Sequence, residues 1–497
     1  MLSHRLIRGI FLICFLAVHV AYSQPNILVV FSDDLNCRIG PYMELDRHTP
    51  NLDRLAAEGV RFNRAYCQFP LCGPSRASIM SGLYPHTNGV LTNDDQPGSY
   101  KKINPELKDH PSMAGFFRER GYFTARVSKI FHMGVPGGIE RGDPGGDEPD
   151  SWDYAYNIMG PETNSPGDLQ LLSPKNLHYG ANFSRMILPD SLQYFQTDYL
   201  AANQAIAILE NRAGKIPEGA KNKKRLKPDA PFFLAVGFVR PHVPLIATES
   251  CFSHYPENET ELPSVQIGKD IPEAALRKQN EKQFGMNILQ KKQTISAYMA
   301  SVRFMDEQVG RLLNTLDKLN LRENTIVIFL SDHGYNLGEH DCWAKSSLWE
   351  GTVRVPVIIS APGFEDQAGT SCESIIQLID LYPTLLDLCG FTADKPEILQ
   401  GRSLKRHLQN SAFTDQEASA FSVSYQGNAG TLKFDHWRYT RWSAPNEGGS
   451  IKNDEELYDH RTDPEEWRNL VNDPEQKQVL EDMRQKYDAM LTSVKKE

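Results

Sequence analysis

Two apolar stretches that end in acidic residues constrain the fold of this chain more than any other feature. The first runs from Pro25 to Phe31 and leads into Ser-Asp-Asp, and the second runs from Thr325 to Leu330 and leads into Ser-Asp-His. Continuous apolar runs of this length predict parallel strands that are buried on both faces. In open sheets of such strands, ligands bind beyond the carboxyl ends. We therefore expect both acidic ends at one ligand-binding edge.

Helical patterns alternate with the predicted strands. Amphipathic segments with helix start and stop residues lie at 49–59, 112–120, 198–211, 293–319 and 380–389. Further apolar strands are predicted at 60–66, 122–127, 231–239 and 355–360. This alternation predicts an α/β fold in which a large, mostly parallel sheet is sandwiched by helices.

The pattern changes near residue 411. Short alternating strands are predicted at 420–425, 437–442 and 456–458, and a terminal helix begins near Pro474. This order predicts a smaller C-terminal α+β domain with an antiparallel sheet. We place the main domain at 24–410 and the smaller one at 411–497. Residues 134–180 are rich in Gly, Pro and Asp and are predicted as long loops beside a substrate cleft.

The first 23 residues have the pattern of an export signal. Arg5 and Arg8 precede an apolar stretch at 10–20, and residues 21–23 end it with small side chains for cleavage. The stretch is shorter than the about 20 residues of a membrane span, with an uncleaved anchor as the alternative. We expect an exported protein without stable membrane insertion, in the periplasm, outside the cell or in a lumen such as the lysosome.

The charge of the chain argues against a nucleic-acid partner. Lys and Arg number 53 against 63 Asp and Glu, which gives a net charge of −10, and the dense basic patch at 221–227 is short. A nucleic-acid surface needs a larger basic patch. Because a negative chain repels anions at long range, an anionic substrate has to be held by a local cluster of cations.

The cysteine count points to an unpaired thiol. Eight cysteines are present, and Cys14 leaves with the predicted signal, so seven remain. An odd number in an exported protein leaves at least one unpaired. The sequence does not show which of the other six form disulfides.

Four residues at the two acidic strand ends are candidate metal ligands: Asp33, Asp34, Asp332 and His333. Hard divalent cations take several oxygen ligands, which two strand ends at one edge can supply. Asp also caps helices and forms turns, and either strand end alone would favour that role. The two ends together favour a metal.

Cys72 stands at the start of a predicted helix, with Pro74 in its first turn. The free N–H groups and the positive dipole end of a helix N-terminus suit an anion. Arg76 follows four residues later, so it falls on the same helix face. A buried thiol, half of a disulfide and a redox thiol are the alternatives. Together with the acids, Cys72 becomes a candidate nucleophile.

The stretch from Cys72 to Arg76 resembles the Cys-x-Pro-x-Arg signature of the formylglycine-dependent sulfatases, which belong to the alkaline phosphatase superfamily. Three further details look like the iduronate-2-sulfatase branch: the Lys129-x-x-His132 spacing, Arg240-Pro241-His242 and the pair Asp332-His333. Other stretches resemble the family in the same order along the chain, namely Ser32–Asp34, Ser331–Gly334, Gly338–His340, Trp343–Lys345, Leu457–Asp459 and Thr462–Pro464.

The resemblance implies a hydrolase of sulfate monoesters that acts on a sulfated polysaccharide or a glycosaminoglycan-type sugar. It implies that a formylglycine-generating or sulfatase-maturing enzyme converts Cys72 to formylglycine, whose gem-diol attacks sulfur. It also implies Ca²⁺ or another divalent ion. The implied metal ligands are Asp33, Asp34, Asp332, His333 and the modified Cys72.

The resemblance also implies roles for the remaining residues. His242 would protonate the departing alcohol, and His132 would help remove a proton from the second hydroxyl of the modified cysteine. Arg76, Lys129 and Lys345 would bind the sulfate and stabilise its charge in the transition state.

Two other functions stay open. A phosphate or phosphonate monoester hydrolase of the same superfamily would use similar residues, and comparing sulfate with phosphate esters distinguishes it. A non-catalytic, secreted glycan-binding protein would be expected to have lost Cys72, Arg76 or one of the acids, and all of them are present.

Overall fold

A computed structural model describes residues 24–43, 48–93, 100–215, 227–265, 268, 270–276, 281–443 and 454–495. The predicted export signal at 1–23 and most of the basic patch at 221–227 lie outside these ranges. Among the helices within them, none combines the length and the apolar character that a bilayer crossing needs.

An eight-stranded sheet forms the centre of the protein. In chain order its strands are β1 (Asn26–Asp33), β2 (Val60–Tyr66), β3 (Phe123–Ser128), β4 (Tyr154–Tyr156), β5 (Phe232–Pro241), β6 (Thr325–Ser331), β7 (Arg354–Ser360) and β8 (Thr370–Gln377). Their spatial order is β8-β2-β7-β6-β1-β5-β3-β4. Only β7 runs antiparallel to its neighbours, so the predicted mostly parallel sheet is confirmed.

Helices cover both faces of this sheet, as the sequence predicts. They are α1 (Pro50–Ala57), α2 (Cys72–Ser81), α3 (Met113–Glu119), α4 (Thr197–Arg212), α5 (Ile288–Lys318) and α6 (Leu381–Leu388). Ile27 and Val29 of β1 pack with α2, α3 and α6, whereas Leu28 and Val30 pack with α1, α4 and α5. Neighbouring residues of a strand point to opposite faces, so an unbroken apolar strand supplies two cores.

Capping residues set the starts of two of these helices. Ser112 Oγ accepts a hydrogen bond from the Gly115 amide at 3.0 Å, and Asn287 forms a capping box with Gln290 at the start of α5. Such caps satisfy N–H groups that have no partner inside the helix, and each contributes about 1 kcal/mol.

A four-stranded antiparallel sheet forms the predicted C-terminal α+β unit. Its strands are adjacent in chain order: β9 (Ser419–Ser424), β10 (Ala429–Phe434), β11 (Trp437–Trp442) and β12 (Asp454–Asp459). Helix α7 (Lys477–Val494) packs on one face through Leu480, Met483 and Tyr487. The boundary between residues 410 and 411 stays a prediction.

Three strands of the two sheets described above differ from the sequence prediction, as does a separate three-stranded sheet of Gln170–Leu171, Ser184–Leu188 and Leu245–Thr248. The sequence does not predict β8, which begins with partly exposed polar residues at the sheet edge, or β10, whose buried Lys433 breaks the apolar pattern. Loop 134–180 is mostly irregular, but it contains β4 at the other edge of the sheet and a short helix at Gly137–Arg141. Edge strands have only one partner, so their apolar patterns are weaker.

The cysteines form no disulfide within the described residues. All seven that follow the predicted signal are free thiols, and six of them are buried. The six cysteines that the sequence left as candidates for disulfides are therefore unpaired as well. The odd cysteine count thus does not single out Cys72 as the free thiol.

Candidate active site

Four adjacent strands bring the candidate residues to one edge of the main sheet. The order is β6-β1-β5-β3, and Ser32 pairs with Ser331, so Asp33 and Asp332 leave the sheet side by side. His242 follows β5, and Lys129 follows β3. The two acidic ends thus meet where the sequence analysis expects them.

Cys72 lies at the centre of this group, fully buried at the first residue of α2. Its Sγ is 3.3 Å from His333 Nε2, 3.3 Å from Lys345 Nζ and 3.8 Å from Asp34 Oδ1. Burial alone would raise the pKa of this thiol. Lys345, Lys129 and His333 outweigh burial and hold the pKa well below its ordinary value. The site therefore stabilises negative charge at this position.

Three carboxylates around Cys72 are each bonded by a cation. Arg76 Nε donates to Asp332 Oδ2 at 2.7 Å, and Lys129 Nζ donates to Asp33 Oδ2 at 2.5 Å. Lys345 Nζ lies 2.8 and 3.0 Å from the two oxygens of Asp34. Buried charges persist only when they are paired in this way. Lys129 and Lys345 thus bond to carboxylates of the site, and their role toward sulfate stays a prediction.

Two of the carboxylates have shifted pKa values. Burial, opposed mainly by Arg76, raises the pKa of Asp332 to about 6. Burial and Cys72 also raise the pKa of Asp33, but the nearby cations, with Lys129 foremost, hold it well below its ordinary value. Closely spaced acids with opposite shifts are typical of functional sites.

Three histidines surround the thiol. His242 Nδ1 lies 2.7 Å from the Val243 carbonyl oxygen, and His333 Nδ1 lies 2.9 Å from that of Gly334. A carbonyl only accepts, so each Nδ1 carries hydrogen and each Nε2 points into the site. These Nε2 atoms lie 3.9 and 3.2 Å from Asp34 carboxylate oxygens.

The third histidine, His132, is close enough to hydrogen-bond to Cys72. Burial, reinforced by the positive charge of Lys129, lowers the pKa of its imidazole, although Cys72 and Asp33 act in the opposite direction. A neutral ring is able to accept a proton, so His132 has the chemistry of a general base.

The backbone around the two lysines adopts unusual conformations. Gly237 of β5 is needed for close approach, because a Cβ there would lie 2.0 Å from the Lys129 carbonyl oxygen. Positive φ angles occur at Asp34 (68°), at Ser128 (62°) before Lys129, and at Ala344 (68°) and Ser346 (74°), which flank Lys345. Backbone strain of this kind clusters at functional sites.

The donor set fits a divalent cation. Ligand-type atoms of Asp33, Cys72, Asp332 and His333 all lie within 4.8 Å of one another. Within the described ranges, Asp33 Oδ1 is buried and accepts no hydrogen bond, and Arg76 Nη2 lies 3.6 Å from it. A buried carboxylate oxygen without a hydrogen bond is costly, and a bound cation would satisfy it. The oxygen donors suit Ca²⁺, while histidine also suits other divalent ions.

Solvent reaches this site from the side of Lys345, His132 and His242. Lys345 and His132 are partly exposed and the side chain of His242 is 6% exposed, whereas those of the three aspartates are 0% exposed. A cavity of about 1240 Å³ lies elsewhere, between residues that follow β1 and the C-terminal sheet, and none of the ten candidate residues lines it. The chemistry therefore belongs to a narrow, buried pocket rather than to this open cavity.

Sequence reasoning missed Tyr298, which supports the first acidic end. Its hydroxyl donates to the Asp34 carbonyl oxygen at 2.8 Å and accepts from the Asn36 amide at 2.9 Å. Tyr298 lies on the buried face of α5, where a tyrosine has the same pattern as any other core residue. No local signal could have marked it.

Comparisons with known proteins agree along most of the chain. A sulfatase family model matches residues 25–391, and a model of the C-terminal region of N-sulphoglucosamine sulphohydrolase matches residues 338–493. A sulfatase of Formosa agariphila is 32% identical over 476 residues, which cover 93% of this chain and 86% of that protein.

Two further relatives carry more specific names. Iduronate 2-sulfatase of Mus musculus is 30% identical over 443 residues, which cover 77% of this chain and 74% of that protein. The solved structure of a protein in complex with its substrate, D-glucosamine-2-N,6-O-disulfate, is similar with a TM-score of 0.70 at 21% identity. That match covers 95% of this chain and 98% of the other, and it shows a shared fold.

Proposed function

This chain belongs to the sulfatase family of sulfuric ester hydrolases, and we propose that it uses formylglycine at position 72 to hydrolyse sulfate esters of a saccharide. The observation that carries this proposal is the setting of Cys72. It lies fully buried at a helix start, among three carboxylates that are each bonded by a cation. This setting suits a charged nucleophile and an anionic substrate.

Asp33, Asp34, Asp332, His333 and the modified Cys72 would hold the divalent cation, and Ca²⁺ is our first choice. The oxygen of Asp33 that accepts no hydrogen bond supports this assignment. When bound, the cation would polarise the attacking hydroxyl of the modified cysteine and lower its pKa.

The lysines have two partners in this account. Lys129 and Lys345 bond to Asp33 and Asp34. In this proposal their ammonium groups would also bind the sulfate oxygens. Arg76 donates to Asp332 through Nε, and its Nη2, which makes no hydrogen bond and lies 3.6 Å from Asp33 Oδ1, would face the same region. Three positive side chains then stabilise the charge that develops on sulfate.

His242 is the proton donor in this proposal. Its Nδ1 is engaged with the Val243 carbonyl, which leaves Nε2 facing Cys72 and Asp34. From there it would give a proton to the alcohol oxygen as the ester bond breaks. His132, whose pKa is lowered, would take a proton from the hydroxyl of the modified Cys72 as sulfate leaves.

The proposed substrate is a glycosaminoglycan-type sugar, with a 2-sulfated uronic acid as the first candidate. Its support is the relative named iduronate 2-sulfatase and the family model named for N-sulphoglucosamine sulphohydrolase. We also propose that the protein is exported, because of the signal pattern at 1–23, and that a maturing enzyme converts Cys72.

A panel of sulfated glycan disaccharides tests this proposal. The panel includes 2-sulfated uronic acids and matched phosphate esters, and the protein is co-expressed with a maturing enzyme. We expect sulfate release by the wild type and none by Cys72→Ala. Faster turnover of the phosphate esters would instead assign the site to phosphoester hydrolysis.

A further inference from the structure

A buried ion pair lies behind His242 and joins loop 134–180 to the end of β5. Arg240 Nη2 lies 3.0 Å from both carboxylate oxygens of Glu162. Their side chains are 2% and 0% exposed. Neither residue contacts the thiol or the acids through any bond described above, so the proposed reaction does not by itself explain them.

The pair is linked to His242 through the backbone. Arg240 Nη1 donates to the His242 carbonyl oxygen at 3.3 Å. The His242 amide donates to the Val239 carbonyl oxygen at 2.8 Å. Asp198 of α4 accepts from the amides of Val239 at 2.7 Å and of Arg240 at 3.0 Å. The whole turn that carries the imidazole is therefore fixed by side chains from two other elements.

Glu162 itself occupies an unusual position. Its φ is 37°, in the left-handed region that non-glycine residues rarely adopt. Thr197 donates a hydrogen bond to the Glu162 carboxylate, which also holds it in place. Such a conformation costs about 1 to 3 kcal/mol and persists only when the surroundings enforce it.

Stability alone is a weak explanation for this pair. Apolar residues of similar volume often replace a buried ion pair without loss, because desolvation offsets the attraction. What an apolar pair cannot supply is the directional hydrogen bond to the His242 carbonyl. That bond, with the one from His242 Nδ1 to Val243, sets the direction of Nε2.

We infer that Glu162 and Arg240 are positioning residues for the proton donor: Glu162 orients Arg240, and Arg240 holds the turn that aims His242 at the departing alcohol. This inference rests on the proposed function. Proton transfer needs a heavy-atom distance of about 2.6 to 3.2 Å. A displacement of about 1 Å can reduce the rate roughly 100-fold.

The acidity of the leaving alcohol tests this role. The best disaccharide of the panel is compared with an analogue that carries fluorine beside the sulfate ester, because fluorine makes the departing alcohol more acidic. A better leaving group depends less on a proton donor. In Glu162→Gln and Arg240→Met we expect kcat for the native sugar to fall roughly 10- to 100-fold, with KM nearly unchanged. For the fluorinated analogue, the fall in kcat in the same variants should be several-fold smaller.

Two controls separate positioning from folding. The double variant Glu162→Gln/Arg240→Met removes both charges of the pair, and the neighbouring Asp198, whose pKa burial raises to about 6, keeps its bonds to the amides of residues 239 and 240. Its Tm should therefore recover toward that of the wild type while the leaving-group effect remains. Glu466→Gln breaks an equally buried pair with Arg438, whose Nε lies 2.5 Å from Glu466 Oε1 in the C-terminal unit. That variant should lose Tm without changing the ratio of the two kcat values.

The outcomes distinguish this inference from the proposed function. A wild type with converted Cys72 that released no sulfate from any ester would overturn the proposed function, and this inference with it. If the wild type is active and kcat of the variants falls equally on both sugars, the inference alone is overturned. The inference is also overturned if the ratio of the two kcat values in the double variant returns to that of the wild type together with Tm.

Discussion

Two clusters of buried charge in this protein have similar composition and different structure. The first surrounds Cys72, and the second joins the main sheet to the C-terminal sheet. The second contains Glu350, Glu466, Arg438, Lys433 and His460. In both clusters, possible metal-ligand atoms lie within 4.8 Å of one another.

The clusters differ in how their acids are satisfied. Arg438 bonds to Glu350 and Glu466, and His460 Nε2 lies 2.9 Å from Glu466 Oε1. In the first cluster, Asp33 Oδ1 accepts no hydrogen bond among the described residues, and Arg76 Nη2 lies 3.6 Å from it. The Cys72 thiol lies within 4.8 Å of the Asp33 carboxylate. Buried charge alone therefore does not mark a functional site. A ligand atom that lacks a hydrogen bond beside a nucleophile does.

Asp332→Asn gives the largest expected effect. We expect sulfate release to fall roughly 1000-fold, about 4 kcal/mol of transition-state stabilisation, because a cation ligand and the partner of Arg76 are lost. The free energy of unfolding should change by less than about 1 kcal/mol, since burial already disfavours the Asp332 charge and Arg76 keeps its bonds to two backbone carbonyl oxygens and its contact with Asp33. Steady-state kinetics and urea unfolding measure both quantities. Activity within tenfold of the wild type would remove Asp332 from the site.

Glu466→Gln should give the opposite result. Arg438, 1% exposed, would lose one of its two charged partners and keep Glu350, and the loss of a buried bond between charged groups costs about 3 kcal/mol of unfolding free energy. We expect kcat within about twofold of the wild type at a temperature where the variant is folded. If kcat fell as far as in Asp332→Asn, the second cluster would take part in catalysis and the distinction would fail.

The pH dependence of stability sharpens the comparison of the two clusters. Beside the second cluster, the C-terminal unit buries an acid, Glu456, that has no cation partner among the described residues. Glu456 accepts hydrogen bonds from Tyr458 and Trp349, and burial raises its pKa to about 7. The folded state thus holds a proton that the unfolded chain releases near pH 4.5. The stabilisation that Glu456 adds to the free energy of unfolding is complete below that pH and is lost as the pH rises through 7.

We therefore expect the wild type to lose about 3 kcal/mol more unfolding free energy than Glu456→Gln between pH 4.5 and pH 8. Urea unfolding at several pH values measures this difference. Parallel curves for the two proteins would mean that Glu456 keeps its ordinary pKa.

Added Ca²⁺ gives the smallest expected effect and tests which cluster binds it. At about 100 times Kd, a ligand that binds only the folded protein stabilises it by about 2.7 kcal/mol. We expect this gain in the wild type and in Glu466→Gln, and none in Asp332→Asn. A gain that persisted in Asp332→Asn and vanished in Glu466→Gln would assign the cation to the second cluster.

The sequence predicts the residues whose neighbours are set by regular structure. Asp33 and Asp332 follow buried strands, and parallel strands bring their ends together at one edge. Cys72 and Arg76 share a helix face because of their spacing. The alternation of strands and helices predicts the mostly parallel sheet for the same reason. All of these predictions follow from the periodicity of side chains along one helix or strand and from the direction in which that element runs.

The rest depends on contacts between distant elements. Glu162 lies in a loop without periodicity and meets Arg240 only in the folded chain. Lys433 carries no sequence signal of its own, yet it is buried among charges from other strands, and burial lowers its pKa to about 7. Lys129 and Lys345 bond to Asp33 and Asp34, which are distant from them in the sequence. Local patterns do not encode such pairings.

The central claim is that modified Cys72 performs the chemistry, and one measurement tests it directly. Preparations with different degrees of conversion are made by varying co-expression of the maturing enzyme. The converted fraction is read from the mass of the peptide that contains residue 72, and sulfate release is measured on the same samples. We expect the rate to be proportional to the converted fraction and to vanish without conversion. A rate independent of conversion would contradict the account.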